Sequence, residues 1–487
     1  MVACGSVRAR QWAAVVLVIA SLLLWSAVRR DAAPWLRGPA PYPPEWQWGY
    51  EPKPMGRAWP AAVCAAAAVL FVWARSRPPL LVALAVVLGW CFQLALLHVE
   101  AGGARAELVR RTASGSFTSY LKVAASGAAR DPAAFLARHA QLLPSLRRSA
   151  RHAATHPPGP VLLFRGLIAA CDRLPSLTRA TASLVPIDPA SLDPPLAPSA
   201  MAAAFLGASL LGIAGAAAAW PAAALARMVA GDAPIGARVG ALWSVLPGPA
   251  LMSPELDQAL ALPVAASSVA LAAALAPGAR PPSALLGAVA AGALAGLAGF
   301  FSYGALLLVA LGGLAVVAFR AEGGAWPRRA LLVVGIATAT AVAALWLPAI
   351  FGYRPLASAS AALAIHREQF TARRGYALWL LFNPLDLALF VGPPVAAVGL
   401  WRLARAVRQP RRPRDRFRLA VAAGLLLLVA SGVVRGEMGR ILIPFMPVLL
   451  VASCAEPEGP SERSELPLLA MLLSATAIVF RLSWELP

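Results

Sequence analysis

Two histidines, His152 and His156, lie one helical turn apart in RHAATHPPGPVLLFRG, directly ahead of a Pro-Pro-Gly-Pro turn. An i, i+4 pair of imidazoles is a spacing with which one helix face can grip a metal. No HExxH accompanies it and the prolines disturb the second position, so no metal site is expected; His156 is instead held where a helix must end. Other chemistry-bearing residues stand at the ends of apolar runs. Asp257, in SPELDQ, occupies a very short loop between two such runs. A carboxylate there costs free energy unless it is solvated or paired, so Asp257 is either functional or a solvated acid or helix cap. Glu100 and Glu107 follow the apolar run 78–98 as boundary acids. Arg435, Glu437 and Arg440 in RGEMGRILIPFMP read as an ion-pair cluster or as functional groups, and Arg165 sits in a short apolar stretch where snorkelling is ordinary.

The elements that must position these residues follow from composition. The chain of 487 residues is 59% hydrophobic and 13% charged, with mean hydropathy +0.68. Soluble domains carry about 25% charged residues. Apolar runs recur along the whole length, which points to a multi-span all-α membrane protein. The net charge of +21 comes almost wholly from arginines between the runs, with no basic domain. Nucleic acid is therefore not expected as a partner; the excess reflects codon bias or a basic face toward anionic lipid or phosphate. The five cysteines, Cys4, Cys64, Cys91, Cys171 and Cys454, form no CxxC and read as small buried hydrophobes. Arg8 and Arg10 precede the run 12–28, which fits a retained first span with an inside N-terminus better than a cleaved signal.

About thirteen spans are expected, at roughly 12–28, 59–74, 78–98, 198–226, 238–252, 259–276, 282–299, 302–319, 330–350, 380–401, 418–435, 441–455 and 467–482. Four segments follow: N-terminal spans with a Trp/Pro-rich loop (1–98), a large loop (99–197), a central bundle (198–350) and C-terminal spans with an outer loop (351–487). The basic loops 320–329 and 402–418 should face the cytoplasm. Residues 29–58, 99–197, 253–258, 351–379 and 436–440 then face outward. The arginines of 99–197 do not oppose this, because long loops cross regardless of charge. Its stretch DPAAFLARHAQLLPSLRRSARHA is amphipathic, as in interfacial helices. Residues 160–171 are too short to span and are expected as a half-buried helix, so the Pro-Pro-Gly-Pro turn holds His156 at the water–lipid boundary. The loop PAPYPPEWQWGYEPKP supplies aromatics that anchor an interface or stack on sugar faces. The 456–466 stretch reads as a polar loop, acidic for a cytoplasmic one.

A first large outer loop of surface helices ending in THPPGPVLLF resembles the His-Pro-Pro segment of polytopic GT-C glycosyltransferases, among them protein O-mannosyltransferases and the aminoarabinose transferases that modify lipid A. Residues 221–262, leading to Leu256-Asp257, are similar to the next part of that family; GLAGFFSYGALLL (296–308) fits the helical pair that follows, and RGEMGRILIPFMP resembles a late outer turn with an arginine. The resemblance covers about 60% of the chain. It implies a GT-C-like fold in the inner membrane, an outward active site, no cofactor, and a polyprenyl-phosphate-linked sugar as donor to an extracytoplasmic glycan, lipid or protein. The leaving phosphate then needs arginines, for which Arg165 and Arg440 stand; the acceptor needs a base, and charge developing at the sugar needs a carboxylate. Asp257 and Glu107 are the catalytic candidates, Tyr120 and His156 the substrate-binding ones. The family's early acid before a Tyr is missing: in TASGSFTSYLKVAA, Ser116 and Thr118 stand in its place, with Glu107 and Glu100 as substitutes. The competing readings are a decayed enzyme of this fold, a lipid-linked glycan polymerase or ligase, and a transporter. Polymerases and ligases generally place their largest outer loop later, and no internal repeat favours the transporter.

Overall fold

The computed structural model of the chain describes residues 2–73, 77–115, 117–188, 192, 195–322, 326–410, 412–456 and 465–486, with side chains from residue 11 onward. Ser116, residues 323–325 and 411 of the two basic loops, and 457–464 of the acidic loop lie outside these. The described chain is helical almost throughout; its only strands, Gly49–Tyr50 and Trp484–Glu485, form one antiparallel pair.

Nine of the described helices are long and apolar enough to cross a membrane: Gln11–Arg29, Met55–Trp73, Pro78–Leu97, Pro198–Ala230, Leu256–Ala274, Pro281–Phe301, Tyr303–Arg320, Trp326–Phe351 and Glu465–Ser483. The pair Tyr376–Val391 and Pro393–Arg408, bent by 113°, makes a tenth if counted as one broken span. The expected count of about thirteen is not confirmed, and the reasons are local. The run 238–252 is a buried helix, Ala233–Trp243, followed by a five-residue turn of helix where Pro247 and Pro249 stop continuation. The run 441–455 breaks at Pro444 and Pro447 into Met438–Ile441, Ile443–Phe445 and Met446–Cys454. Pro413–Ser431 opens with PRDRFR and is too charged in that turn to qualify. Helix starts follow a common device: Pro78, Pro132, Pro198, Pro281, Pro355, Pro393 and Pro413 stand at first helical positions, where a missing N–H costs nothing.

The chain forms two compact units, interleaved in sequence. One comprises residues 1–99, 216–252 and 374–486; the other comprises 100–215 and 253–373. In the first, Trp59–Trp73 packs on Glu465–Ser483 and on Pro78–Leu97, and Trp243, Trp379, Trp484, Phe390 and Phe480 fill the interior. In the second, Pro281–Phe301 packs on Trp326–Trp346 and on Leu256–Ala274 through small residues. Leu286, Leu331 and Leu332 point outward and are largely exposed, as lipid-facing residues are.

The segment 100–197 builds a run of short helices in the second unit: Gly103–Ala113, Tyr120–Ala125, Pro132–Leu146, Arg151–Thr155, Gly159–Arg173 and Pro175–Ala182. Asp131 caps the third by accepting from the N–H groups of Ala133 and Ala134 at 2.9 and 3.2 Å. The expected short helix at 160–171 is Gly159–Arg173.

Candidate functional site

The second unit gathers acids around one arginine. Arg111, on the Gly103–Ala113 helix, is 4% exposed. Its Nε lies 3.4 Å from Glu107 Oε2, one turn back, and its Nη2 lies 3.5 Å from Glu100 Oε1. Its Nη1 donates to the carbonyl of Ser253 at 3.4 Å. Glu107 also pairs with Arg110. Buried Glu255, the residue that opens the Leu256–Ala274 helix, acts on Arg111 through its charge. Burial pulls the Arg111 pKa below the usual guanidinium value, against the pull of Glu100, Glu107 and Glu255. A guanidinium remains charged even so, and the acids compensate it. Asp257, half-buried, follows in the first turn of the same helix, where the dipole favours an acid.

His156 ends the Arg151–Thr155 helix. Its Nδ1 lies 2.8 Å from the carbonyl of His152 and 3.3 Å from Thr155 Oγ1. Donation to the carbonyl places the proton on Nδ1 and makes Nε2 the acceptor nitrogen. The buried ring of Tyr120 meets the imidazole edge-on, 5.5 Å between centroids at 73°. The glycine of the Pro-Pro-Gly-Pro turn has a steric cause: a Cβ on Gly159 would lie 2.3 Å from the carbonyl oxygen of Phe300. Only glycine lets the helix after His156 approach the end of Pro281–Phe301 so closely. Arg165, one turn and a half into that helix, is half-buried and makes no hydrogen bond or ion pair among the described residues. His152 serves through its backbone carbonyl.

Arg440 belongs to the first unit, where its Nε lies 3.2 Å from Glu437 Oε1. There it is part of a polar turn held by a half-helix. Asn383 donates to the carbonyl of Val434 at 2.8 Å and accepts from Gly436 N–H at 3.2 Å; Asp386 accepts from Gly439 N–H at 2.8 Å. Arg374 donates to the Arg435 carbonyl and Arg435 to the Arg374 carbonyl, at 2.5 and 2.8 Å. Glu45 accepts from Gly375 N–H at 2.9 Å and from the Trp379 indole at 2.6 Å. Burial lowers the Arg374 pKa, against the carboxylates of Glu437 and Glu45.

The structure thus brings Glu107 and Glu100 together with the turn that carries Asp257, and pairs Tyr120 with His156. Arg111, Glu255, Glu45, Arg374 and Asp386 were not singled out from the sequence. Asp386 and Asn383 had a visible signal, as lone polar residues in the apolar run YALWLLFNPLDLALFV. Arg111 had none, being one arginine among many. No protein-family model matches the chain, and no curated protein or solved structure matches it significantly.

Proposed function

We propose that the chain is an integral membrane glycosyltransferase that moves a sugar from a polyprenyl-phosphate carrier to an acceptor outside the cytoplasm. The proposal draws on the unit of residues 100–215 and 253–373. One observation carries it: Glu100, Glu107 and Glu255, from segments more than a hundred residues apart, converge on buried Arg111 at the head of the helix that bears Asp257. The early acid that the family resemblance lacks at Ser116 and Thr118 is supplied one helix earlier, by Glu107.

The reaction asks for few groups. An acceptor hydroxyl attacks the anomeric carbon, its proton passes to a carboxylate, and the bond to the carrier phosphate breaks with both electrons going to oxygen. Asp257 or Glu107 takes the proton; the other acid stabilises the positive charge developing on the sugar ring. Arg165 serves the leaving phosphate, and the acceptor nitrogen Nε2 of His156 beside Tyr120 orients a hydroxyl. A boundary location suits a donor whose tail is lipid and whose phosphate is polar.

The test is mass spectrometry of polyprenyl-phosphate lipids and envelope glycans. A deletion strain is compared with strains restored by wild type, Glu107→Gln, Asp257→Asn or His156→Ala. Loss of one sugar from a glycan, accumulation of its lipid-linked donor, and reversal by wild type alone are expected. Unchanged lipids and glycans with the protein present would sink the proposal. A second reading has an observation of its own: Glu107 already pairs with Arg110 and Arg111, which suits a structural ion cluster in a decayed enzyme. In that case Glu107→Gln lowers the melting temperature and leaves every glycan as in wild type.

A further inference from the structure

In the first unit, two neighbouring helices carry a surface on which an apolar band gives way to arginines. On Pro393–Arg408, Leu400, Trp401 and Val407 are exposed, and Arg405 and Arg408 are exposed on the same outward arc. Arg408 stands about 12 Å beyond Leu400 along the axis, enough to pass from hydrocarbon into the headgroup layer. The guanidinium of Arg405 lies 5.0 Å from the ring centroid of Trp401. An exposed indole is itself a group that settles at that boundary. Pro413–Ser431 repeats the order: Arg412 precedes its first residue, and Leu426 and Leu427 are exposed further on.

Behind this rim the arginines are answered by acids. Arg418 pairs with Asp415 at 2.9 Å, Arg414 with Glu456 at 3.1 Å and Arg402 with Glu465 at 3.7 Å. Arg402 and Arg418 are buried and also donate to the carbonyls of Ser453 and Ala452, at 2.6 and 3.0 Å. Glu456 and Glu465, acids from the stretch after Cys454, are thus countercharges of the inner arginines. Among the described residues, the outer three, Arg405, Arg408 and Arg412, have no carboxylate partner. The space between the outer and inner groups is about 10 Å³, room for one water at most, so no free ligand is enclosed there. Whatever answers the outer three must come to them at the surface.

We propose that Arg405, Arg408 and Arg412 bind the phosphate headgroups of anionic phospholipid in the leaflet that this loop borders. A lipid satisfies both halves of the surface at once: its tails lie on Leu400, Trp401 and Val407, and its phosphate takes paired N–H donors from the guanidinium groups. A free anion finds no walls here, because the space behind the rim holds only water. A nucleic acid needs a basic surface clear of the bilayer, and this face turns apolar within two helical turns. The zwitterionic headgroup brings its own cation and so gains less from three unpaired arginines. The surface belongs to a different unit than the Glu107–Arg111 cluster and does not rest on the transfer proposal.

The test uses the full chain, purified and titrated with phosphatidylglycerol or phosphatidylcholine, with retained lipid read by native mass spectrometry. Phosphatidylglycerol should be retained in preference, and the preference should shrink as salt rises. Each of Arg405→Gln, Arg408→Gln and Arg412→Gln should weaken its retention about fivefold, and the triple variant about a hundredfold. Melting should stay as in wild type, since no ion pair is lost. If the triple variant does not fold, the three single variants carry the comparison. Arg130→Gln, Arg148→Gln and Arg173→Gln together remove as much charge from exposed positions of the other unit and should leave retention unchanged. Inorganic phosphate at the same concentration should not displace the lipid. Equal retention of the two lipids, equal loss in both triple variants, or displacement by inorganic phosphate, which would mark a site for free anions, overturns the inference.

Discussion

Glu107 faces Arg111 on one side and Arg110 on the other, so changing it touches both architecture and chemistry. Glu107→Gln keeps the shape and removes one countercharge from a buried guanidinium that Glu100 and Glu255 still face. A stability loss of about 1–3 kcal/mol is expected, with transfer falling about 10²–10⁴-fold if Glu107 handles the proton. Melting temperature and rate read on the same purified sample separate the two. A full rate in a protein that melts lower assigns Glu107 to architecture alone. His139 offers a cleaner reading of burial. It is 1% exposed between the edges of Phe135 and Tyr353, and its Nδ1 has no partner among the described residues. Burial pushes its pKa down to about 4 from 6.5. The unfolded chain therefore binds more protons between these values, and stability falls as pH drops from 6.5 toward 4, by about 3 kcal/mol at the lower end. His139→Phe should flatten that part of the curve: the melting difference between variant and wild type is constant above pH 6.5 and grows in favour of the variant below it. A constant difference down to pH 4 would refute the burial account. At this scale the sequence was legible where a residue stood out against its neighbours. Asp257 between two apolar runs and His156 before two prolines could be seen. Arg111 could not, because its distinction is burial beside three acids brought in by the fold.

Helix boundaries were legible wherever Pro or Gly marked them and illegible where length depended on packing. The long runs 281–301 and 326–346 are helices because nothing in them interrupts the ladder, and small residues let them approach. A Cβ on Gly292 would lie 2.2 Å from the Ala337 carbonyl oxygen, and one on Gly296 would lie 2.5 Å from the Ala344 methyl. These glycines stand four apart on one face, the small-xxx-small pattern by which spans pack without a hydrophobic drive between them. Gly292→Val should force the pair apart and cost about 1–3 kcal/mol, seen as a lower melting temperature in detergent. Gly335→Val, where an added Cβ meets nothing within 4 Å, should leave melting unchanged. Equal effects of the two would mean that glycine acts there through chain flexibility and not through contact. By contrast, the runs 238–252 and 441–455 have the composition of spans, and hydropathy alone could not show where they break. Their prolines break them into pieces that the first unit buries on all sides. The sharp bend between Val391 and Pro393 was equally hidden; Gly392, at φ +88°, takes a backbone conformation that side chains rarely adopt.

For the whole chain, the placement of charge sets the decisive prediction. Two arginine-rich regions compete for the cytoplasm: the compact loop 402–418 and the long segment 99–197. The charge bias that orients spans is felt in short loops near span ends and fades in long segments, so 402–418 should decide and 99–197 should cross. Single cysteines placed in a cysteine-free background test this. Gly127 and Gly56 are exposed, and an added Cβ meets nothing within 4 Å at either. Gln409 is exposed in the basic loop. In intact cells a membrane-impermeant maleimide should label Gly127→Cys and Gly56→Cys, and should reach Gln409→Cys only after the membrane is opened. All five native cysteines are replaced first; of these, Cys64, Cys91, Cys171 and Cys454, the four with described side chains, are unbridged. The reverse pattern would place Glu107, Asp257 and His156 on the cytoplasmic side. A sugar carrier loaded on the outer leaflet could not then reach them, and the transfer proposal would fail even with every distance around Arg111 unchanged. Labelling of Gly127→Cys and Gln409→Cys alike would mean that an even number of crossings separates them, as when the bent pair at 376–408 adds a crossing to the five candidate spans before it; a half-helix that turns back leaves both its ends on one side and keeps the number odd.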